Sequence, residues 1–242
     1  MNRIKILNAW HLKLLMSILM ALDHLRIIHN LISPEAANLF SVISRCAAPV
    51  FAYLAVEGIR HTRNIKKYCL RLSVLAGIVF LGNAVLNRIF KSFSETVPET
   101  EQKYLYISNN VIFTLAIGVL VIALIIHAEN KGKKAGFFFL AAVCGVIGML
   151  WGEWGSVLLP FMVTVYIFRE KRLFRFMGYA VTEVIALLLP FSEPLYFTAF
   201  PFIFLYNGKR GPNNRFTKYF FYVFYPLHIW VLAAINFILM VF

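Results

Sequence analysis

The sequence predicts an all-α, polytopic integral membrane bundle of about nine transmembrane segments, with its N-terminus inside. Three observations lead there. Of 242 residues, 60% are hydrophobic and only 14% charged, whereas soluble domains carry about a quarter charged residues. Mean hydropathy is +0.73. The apolar residues fall into runs, the longer of which suffice to span a ~30 Å hydrocarbon core. Basic and acidic residues then alternate between the connecting loops. The length allows one polytopic domain, 1–242, and leaves little room for a separate soluble one.

Taken in order, the apolar segments lie at 11–32, 36–59, 68–90, 107–127, 135–151, 154–168, 173–190, 195–206 and 219–241. Those at 154–168 and 195–206 are short for a full crossing, and Pro160 and Pro201 fall inside them. Each can tilt, break or re-enter. Alternate loops carry Arg3/Lys5, then Arg60/Arg63/Lys66/Lys67/Arg71, then Lys131/Lys133/Lys134. Arg169/Lys171/Arg172/Arg175 and Lys209/Arg210/Arg215/Lys218 complete the series. The intervening loops hold Glu35, Glu95, Glu99, Glu101, Glu153 and Glu193, with only Arg88, Lys91 and Lys103 on the basic side. Such alternation is what the positive-inside rule requires of an N-in chain.

A net charge of +13 would suggest nucleic acid in a soluble protein. Here the cations form short clusters between apolar runs without aromatic–basic interleaving, so nucleic acid is excluded and anionic membrane lipids are the expected contact. Cys46, Cys69 and Cys144 stand far apart with no metal-ligand spacing. No metal and no disulfide framework is expected. Arg3 and Lys5 ahead of an apolar run imitate a signal peptide, yet no small-x-small cleavage site follows "LLMSILMAL". The first segment is therefore expected to be retained.

Five ionisable residues fall at similar depth inside these segments: Asp23 and His24 in the first, Arg45 in the second, Glu183 in the seventh and His228 in the ninth. Each costs about 2.5 kcal/mol or more at a helix centre unless paired or wet. Keeping five at one level argues for a common cavity. The alternative is packing glue, with Asp23 or Glu183 pairing Arg45. A histidine ordinarily titrates near neutrality, which suits His24 to general base work, although a hydrogen-bonded core histidine is the plainer role. Asp23 and His24 point ~100° apart on a helix, so they cannot form a dyad. Asp23 can meet Arg26, three residues on, and Glu57 can meet Arg60 or His61. His24 must find its partner on another segment, with Glu183, Arg45 and His228 as candidates.

At the cytosolic rim, "EGIRHTRNIKKYCLR" (57–71) and "YNGKRGPNNRFTKYF" (206–220) place cations where phosphates or lipid headgroups could bind. In "NGKRG" two glycines flank a Lys-Arg pair, which fits either close backbone approach to a ligand or a tight turn. Cys46 beside Arg45 reads as small-residue packing rather than an acyl-carrying nucleophile.

In this order, "LDHL", "SRCAAPVFAYLAVEGIRHTRNIKKYCLRL" (44–72), "NNVIFTLAIGVL" (109–120), "YNGKRG" (206–211) and "FYVFYPLHIWVL" (221–232) together resemble the TraX family. These are membrane acetyltransferases named for acetylating the N-terminus of conjugative pilin, similar to a wider group of transmembrane acyltransferases. The family's "GR" is here Ser44-Arg45. The resemblance implies acetyl transfer from cytosolic acetyl-CoA, as co-substrate, to an amine or hydroxyl of a peptide or glycan acceptor. The setting it implies is a prokaryotic cytoplasmic membrane.

On that reading, Arg60, His61, Arg63, Lys66, Lys67, Lys209 and Arg210 hold the CoA phosphates, and the pantetheine arm runs inward. His24 is the base, Arg45 or His228 stabilises the thioester oxygen, Asp23 tunes that cation, and Glu183 is a further member of the catalytic set. Asn109, Asn110 and Thr114 line the acceptor side. The rival is a proton-coupled transporter, which also needs midplane Asp, Glu and His. An odd segment number and the lack of matching interrupted helices in two halves count against it.

Overall fold

The computed structural model describes residues 6–132, 134–170, 178–181, 184 and 196–242. Among these every regular element is helical: α1 (Ala9–His24), α2 (Pro34–Ser44), α3 (Ala47–His61), α4 (Ile65–Ser92), α5 (Val111–Asn130), α6 (Ala135–Trp151), α7 (Gly155–Ile167), α8 (Phe200–Leu205) and α9 (Arg215–Val241). The apolar run at 173–190 lies almost wholly outside the described residues, as do Arg3, Lys5, Lys133, Lys171, Arg172, Arg175 and Glu193.

Among the described residues, four stretches are long and apolar enough to cross a membrane: Pro34–His61, Ile65–Ser92, Val111–Asn130 and Arg215–Val241. At 1.5 Å per residue, the 28 residues of α4 reach about 42 Å. Along α4, Leu70, Val74, Leu81, Val85 and Ile89 share an exposed face, and Tyr219, Val223, Leu227, Val231 and Ile235 do the same on α9. Apolar stripes of this extent are untenable in water, and lipid is their natural solvent. The chain is a membrane protein.

Helix starts follow local chemistry. Asn8 accepts from His11 N at the head of α1, and Ser33 accepts from Ala36 N ahead of Pro34 at the first turn of α2. Asn214 and Thr217 form a reciprocal capping box on α9. The run at 36–59 is not one helix: it breaks between Ser44 and Ala47. Pro49 supplies the reason, because it lacks an N–H and its ring clashes with the carbonyl four residues back, that of Arg45.

The contacts group into two units. The first comprises Met1–Ala47, Ile78–Asn109 and Phe204–Phe242. Its polar pins are asparagines within apolar runs. Asn87 donates to Ile107 O and accepts from Ile107 N, both at 2.8 Å. Asn83 donates to Asn109 O and accepts from Trp230 Nε1. Asn236, 1% exposed, accepts from His29 N and donates to Tyr104 O. The polar stretch 91–106 is thereby tied down, and Val97 and Leu105 are buried within it.

The second unit comprises Ala48–Gly77 and Asn110–Ile203. α5, α6 and α7 pack closely there because Gly118 faces Met162 and Leu159, and Gly148 faces Ile117 and Leu159. Expected at 107, the fourth apolar helix instead begins at Val111. Asn110 caps it by accepting from Phe113 N, and the carboxylate of Glu153 accepts from Asn110 N at 2.6 Å.

Candidate active site

In the first unit α1 delivers His24 and α9 delivers His228. Nδ1 of His24 lies 2.9 Å from Nε2 of His228. His24 is buried at 7% exposure. His228 is fixed in turn by its own helix, with Nδ1 2.8 Å from the carbonyl oxygen of Phe224 and its ring stacked on that of Phe224.

These contacts determine where the protons sit in the neutral pair. A carbonyl can only accept, so His228 Nδ1 carries the hydrogen and donates it to Phe224. Nε2 of His228 is then a lone pair and must accept from His24 Nδ1–H. That leaves the lone pair of His24 on Nε2, to which no described group hydrogen-bonds. A base whose far nitrogen is held by a second oriented group is the arrangement general base catalysis uses.

The other expected residues of this unit are nearby in sequence but differently engaged. Asp23 pairs with Arg26 at 3.4 Å, as their spacing allows. Arg45 caps the C-terminus of α2, at the break imposed by Pro49. Cys46 is buried, its sulfur against Met16 and Ile43 O. Glu183 lies outside the described residues.

At the other end of α1 the "NGKRG" turn is built against the N-terminal segment. Ala9 N donates to Lys209 O and Asn207 N donates to Leu7 O. Gly208 and Gly211 adopt φ of +77° and +84°, a region that disfavours side chains. Gly211 abuts Asn8 and Trp10. The turn leaves Lys209 and Arg210 exposed. Lys13 of α1 sits over the Phe221 ring and feels the charge of Arg210. Among the described residues no carboxylate pairs with these three cations. Lys13 was missed by sequence reasoning, which took loop charges and the ionisable groups deep inside the segments and passed over a cation near the start of the first run. Its signal is a lone cation inside an apolar run.

The rim cations of the second unit are differently placed. Arg60 bonds Glu57 at 2.9 Å and Glu170 at 3.3 Å, and His61 lies 3.6 Å from Glu57. Two of the expected phosphate ligands are thus already matched by carboxylates. Arg63, Lys66 and Lys67 remain exposed. Of the residues expected to line an acceptor site, Asn110 is occupied as the α5 cap and donates to Ala76 O. Thr114 is fully buried and donates to Glu153 O at 2.7 Å. Asn109, in the first unit, gives its carbonyl to Asn83. These side chains and backbone groups are committed to holding the entry to α5. No group of His, Cys, Asp and Glu able to hold a metal occurs among the described residues.

Comparison with known proteins adds two findings. The chain is 26% identical over 247 residues to a Dichelobacter nodosus protein named "Probable fimbrial assembly protein FimC, serogroup H1", covering 94% of this chain and 95% of the relative. No solved structure matches it. The model of the TraX protein family matches residues 9–236, spanning both His24 and His228, and the chain belongs to that family.

Proposed function

We propose that the protein is an integral membrane acetyltransferase, moving an acetyl group from cytosolic acetyl-CoA to an amine or hydroxyl of a pilin-N-terminus-like peptide or a glycan. One observation carries this reading: a buried His24–His228 pair, locked by the Phe224 carbonyl, in a chain of the TraX family. His24 Nε2 takes the proton of the acceptor as its nitrogen or oxygen attacks the thioester carbon. The tetrahedral intermediate then expels the CoA thiolate, which leaves as the thiol with that same proton. His228 accepts from His24 Nδ1–H throughout and stabilises the transient imidazolium. With His228 so engaged, Arg45 is the cation for the developing oxyanion, and such preorganised charge is the main source of rate in acyl transfer.

Lys13, Lys209 and Arg210, which no described carboxylate neutralises, take the phosphates. The charge alternation along the loops supports nine crossings with the N-terminus inside a prokaryotic cytoplasmic membrane. Residues 209 and 210 are then cytosolic and 99 and 101 external, which labelling of single cysteines at these sites from either side would check.

The direct test is purified protein with labelled acetyl-CoA and either a pilin-type N-terminal peptide or a sugar acceptor. Saturable CoA binding with label transfer is expected. Gradient-driven uptake of a solute without CoA binding would replace the enzyme by a transporter.

A further inference from the structure

The face of α1 that carries His24 also carries two residues the sequence alone did not mark. Lys13, Ser17 and His24 stand four and seven residues apart. At ~100° per residue they fall within about 40° of one another, on a single stripe. The stripe begins at the cations Lys13, Lys209 and Arg210 and ends at the histidine pair. Beside its middle lies a partly open apolar pocket of about 250 Å³, walled by Leu14, Ile18, Leu22 and Leu25 with Phe220 and Phe224 of α9. The volume falls near the low end of small-ligand pockets, roughly 300–1,000 Å³, and suits a thin chain rather than a bulky group.

Ser17 lines this cavity. It is 2% exposed, and its hydroxyl has no hydrogen-bond partner. A buried hydroxyl left unpaired costs about 1–3 kcal/mol. A donor held in an otherwise apolar pocket calls for a ligand that brings an acceptor into apolar surroundings. A hydrocarbon tail would leave Ser17 unsatisfied, whereas an amide-bearing arm would not.

We infer that this stripe is the seat of a phosphopantetheine-type thioester, with the phosphate at Lys13, an amide carbonyl at Ser17 and the thioester at His24. The inference rests on the acetyltransferase reading and adds to it one binding residue, Ser17, and a path. Lengths agree. From Lys13 to His24 the helix rises about 16 Å. The twelve bonds from phosphate ester oxygen to sulfur span roughly 14 Å when extended, at backbone-like bond geometry.

The test uses the full chain in detergent and measures binding of CoA, of pantetheine 4′-phosphate and of adenosine 3′,5′-bisphosphate, which lacks the arm. Ser17→Ala should weaken CoA and pantetheine 4′-phosphate roughly 3- to 10-fold, the size of one hydrogen bond. Ser17→Leu, which fills the slot, should weaken both by more than about 10-fold. Adenosine 3′,5′-bisphosphate should bind both variants as it binds the unaltered chain, and the melting point of the Ser17→Ala chain should hold. Lys13→Gln should weaken every phosphate-bearing probe.

If the unaltered chain binds CoA and transfers acetyl while the Ser17 variants bind CoA equally well, the path is wrong and the acetyltransferase reading stands. If the unaltered chain neither binds CoA nor transfers acetyl, both fall. Retention of a phospholipid that Ser17→Leu expels, with CoA binding unchanged, would show the slot to be a lipid site and also overturn the inference.

Discussion

Replacing His228 by alanine removes the acceptor for His24 Nδ1–H, now met at 2.9 Å. A buried N–H without a partner costs about 1–3 kcal/mol. His24 can escape that cost by changing tautomer, which puts the proton on Nε2 and abolishes the lone pair that serves as base. At about 1.4 kcal/mol per factor of ten, acetyl transfer should fall roughly 10- to 100-fold, mostly in kcat. His228→Gln is the informative companion. Its amide oxygen can occupy the place of Nε2 and accept the same hydrogen, so activity should stay within about 5-fold of the unaltered protein.

Steady-state transfer from labelled acetyl-CoA reads both variants, with the double variant His24→Ala/His228→Ala alongside. Because His228 acts through His24, the double variant should be no worse than His24→Ala. Two results refute the reasoning. One is His228→Ala within 3-fold of the unaltered enzyme. The other is losses that multiply in the double variant, which would return His228 to an independent role at the thioester oxygen.

Other outcomes follow from the packing and the rim. Charge reversal at Lys209 and Arg210 should raise the apparent KM for acetyl-CoA several-fold more than Arg60→Gln does, since Arg60 is already matched by Glu57 and Glu170; equal shifts would count against the assignment. Asn236→Leu strands the amide of His29 and the carbonyl of Tyr104, so a loss of about 2 kcal/mol or more is expected in unfolding measurements. Gly82→Val drives a side chain into the Trp230 ring, which its bond to Asn83 holds in place, and should cost about 1–3 kcal/mol. Gly77→Ala, on the same helix with nothing within 4 Å of the added carbon, should cost nothing measurable in the same melt.

Local rules carried much of the fold in the sequence. Over most of their length the apolar runs whose residues are described became helix, because a chain in lipid must satisfy its backbone within itself, although the first run stops being helical at Ile27, short of 32. Short-range pairings were equally legible: Asp23 with Arg26, and Glu57 with both Arg60 and His61, lie three or four residues apart on one helix face. The break after Ser44 could have been read from Pro49, whose ring excludes the Arg45 carbonyl from a continuous helix, but the uninterrupted hydropathy hid it.

The partner of His24 was legible only as one of three candidates, Glu183, Arg45 and His228; 204 residues separate it from His228, and only tertiary packing singles that one out. The asparagine pins at 83, 87 and 236 were overlooked because attention to ionisable groups passes over neutral amides, which nonetheless bear the same need for partners in an apolar medium. Asn110 and Thr114 show the converse. A polar residue near a helix start is used first by the backbone that lacks partners there.

The most direct test of the whole account is a single-turnover measurement of acetyl transfer by His24→Ala, with CoA binding followed on the same sample. General base catalysis contributes about 10²–10⁴-fold, so transfer should drop by at least 100-fold while CoA binds as before. Transfer within a few-fold of the unaltered protein would contradict it and leave the histidine pair a packing contact.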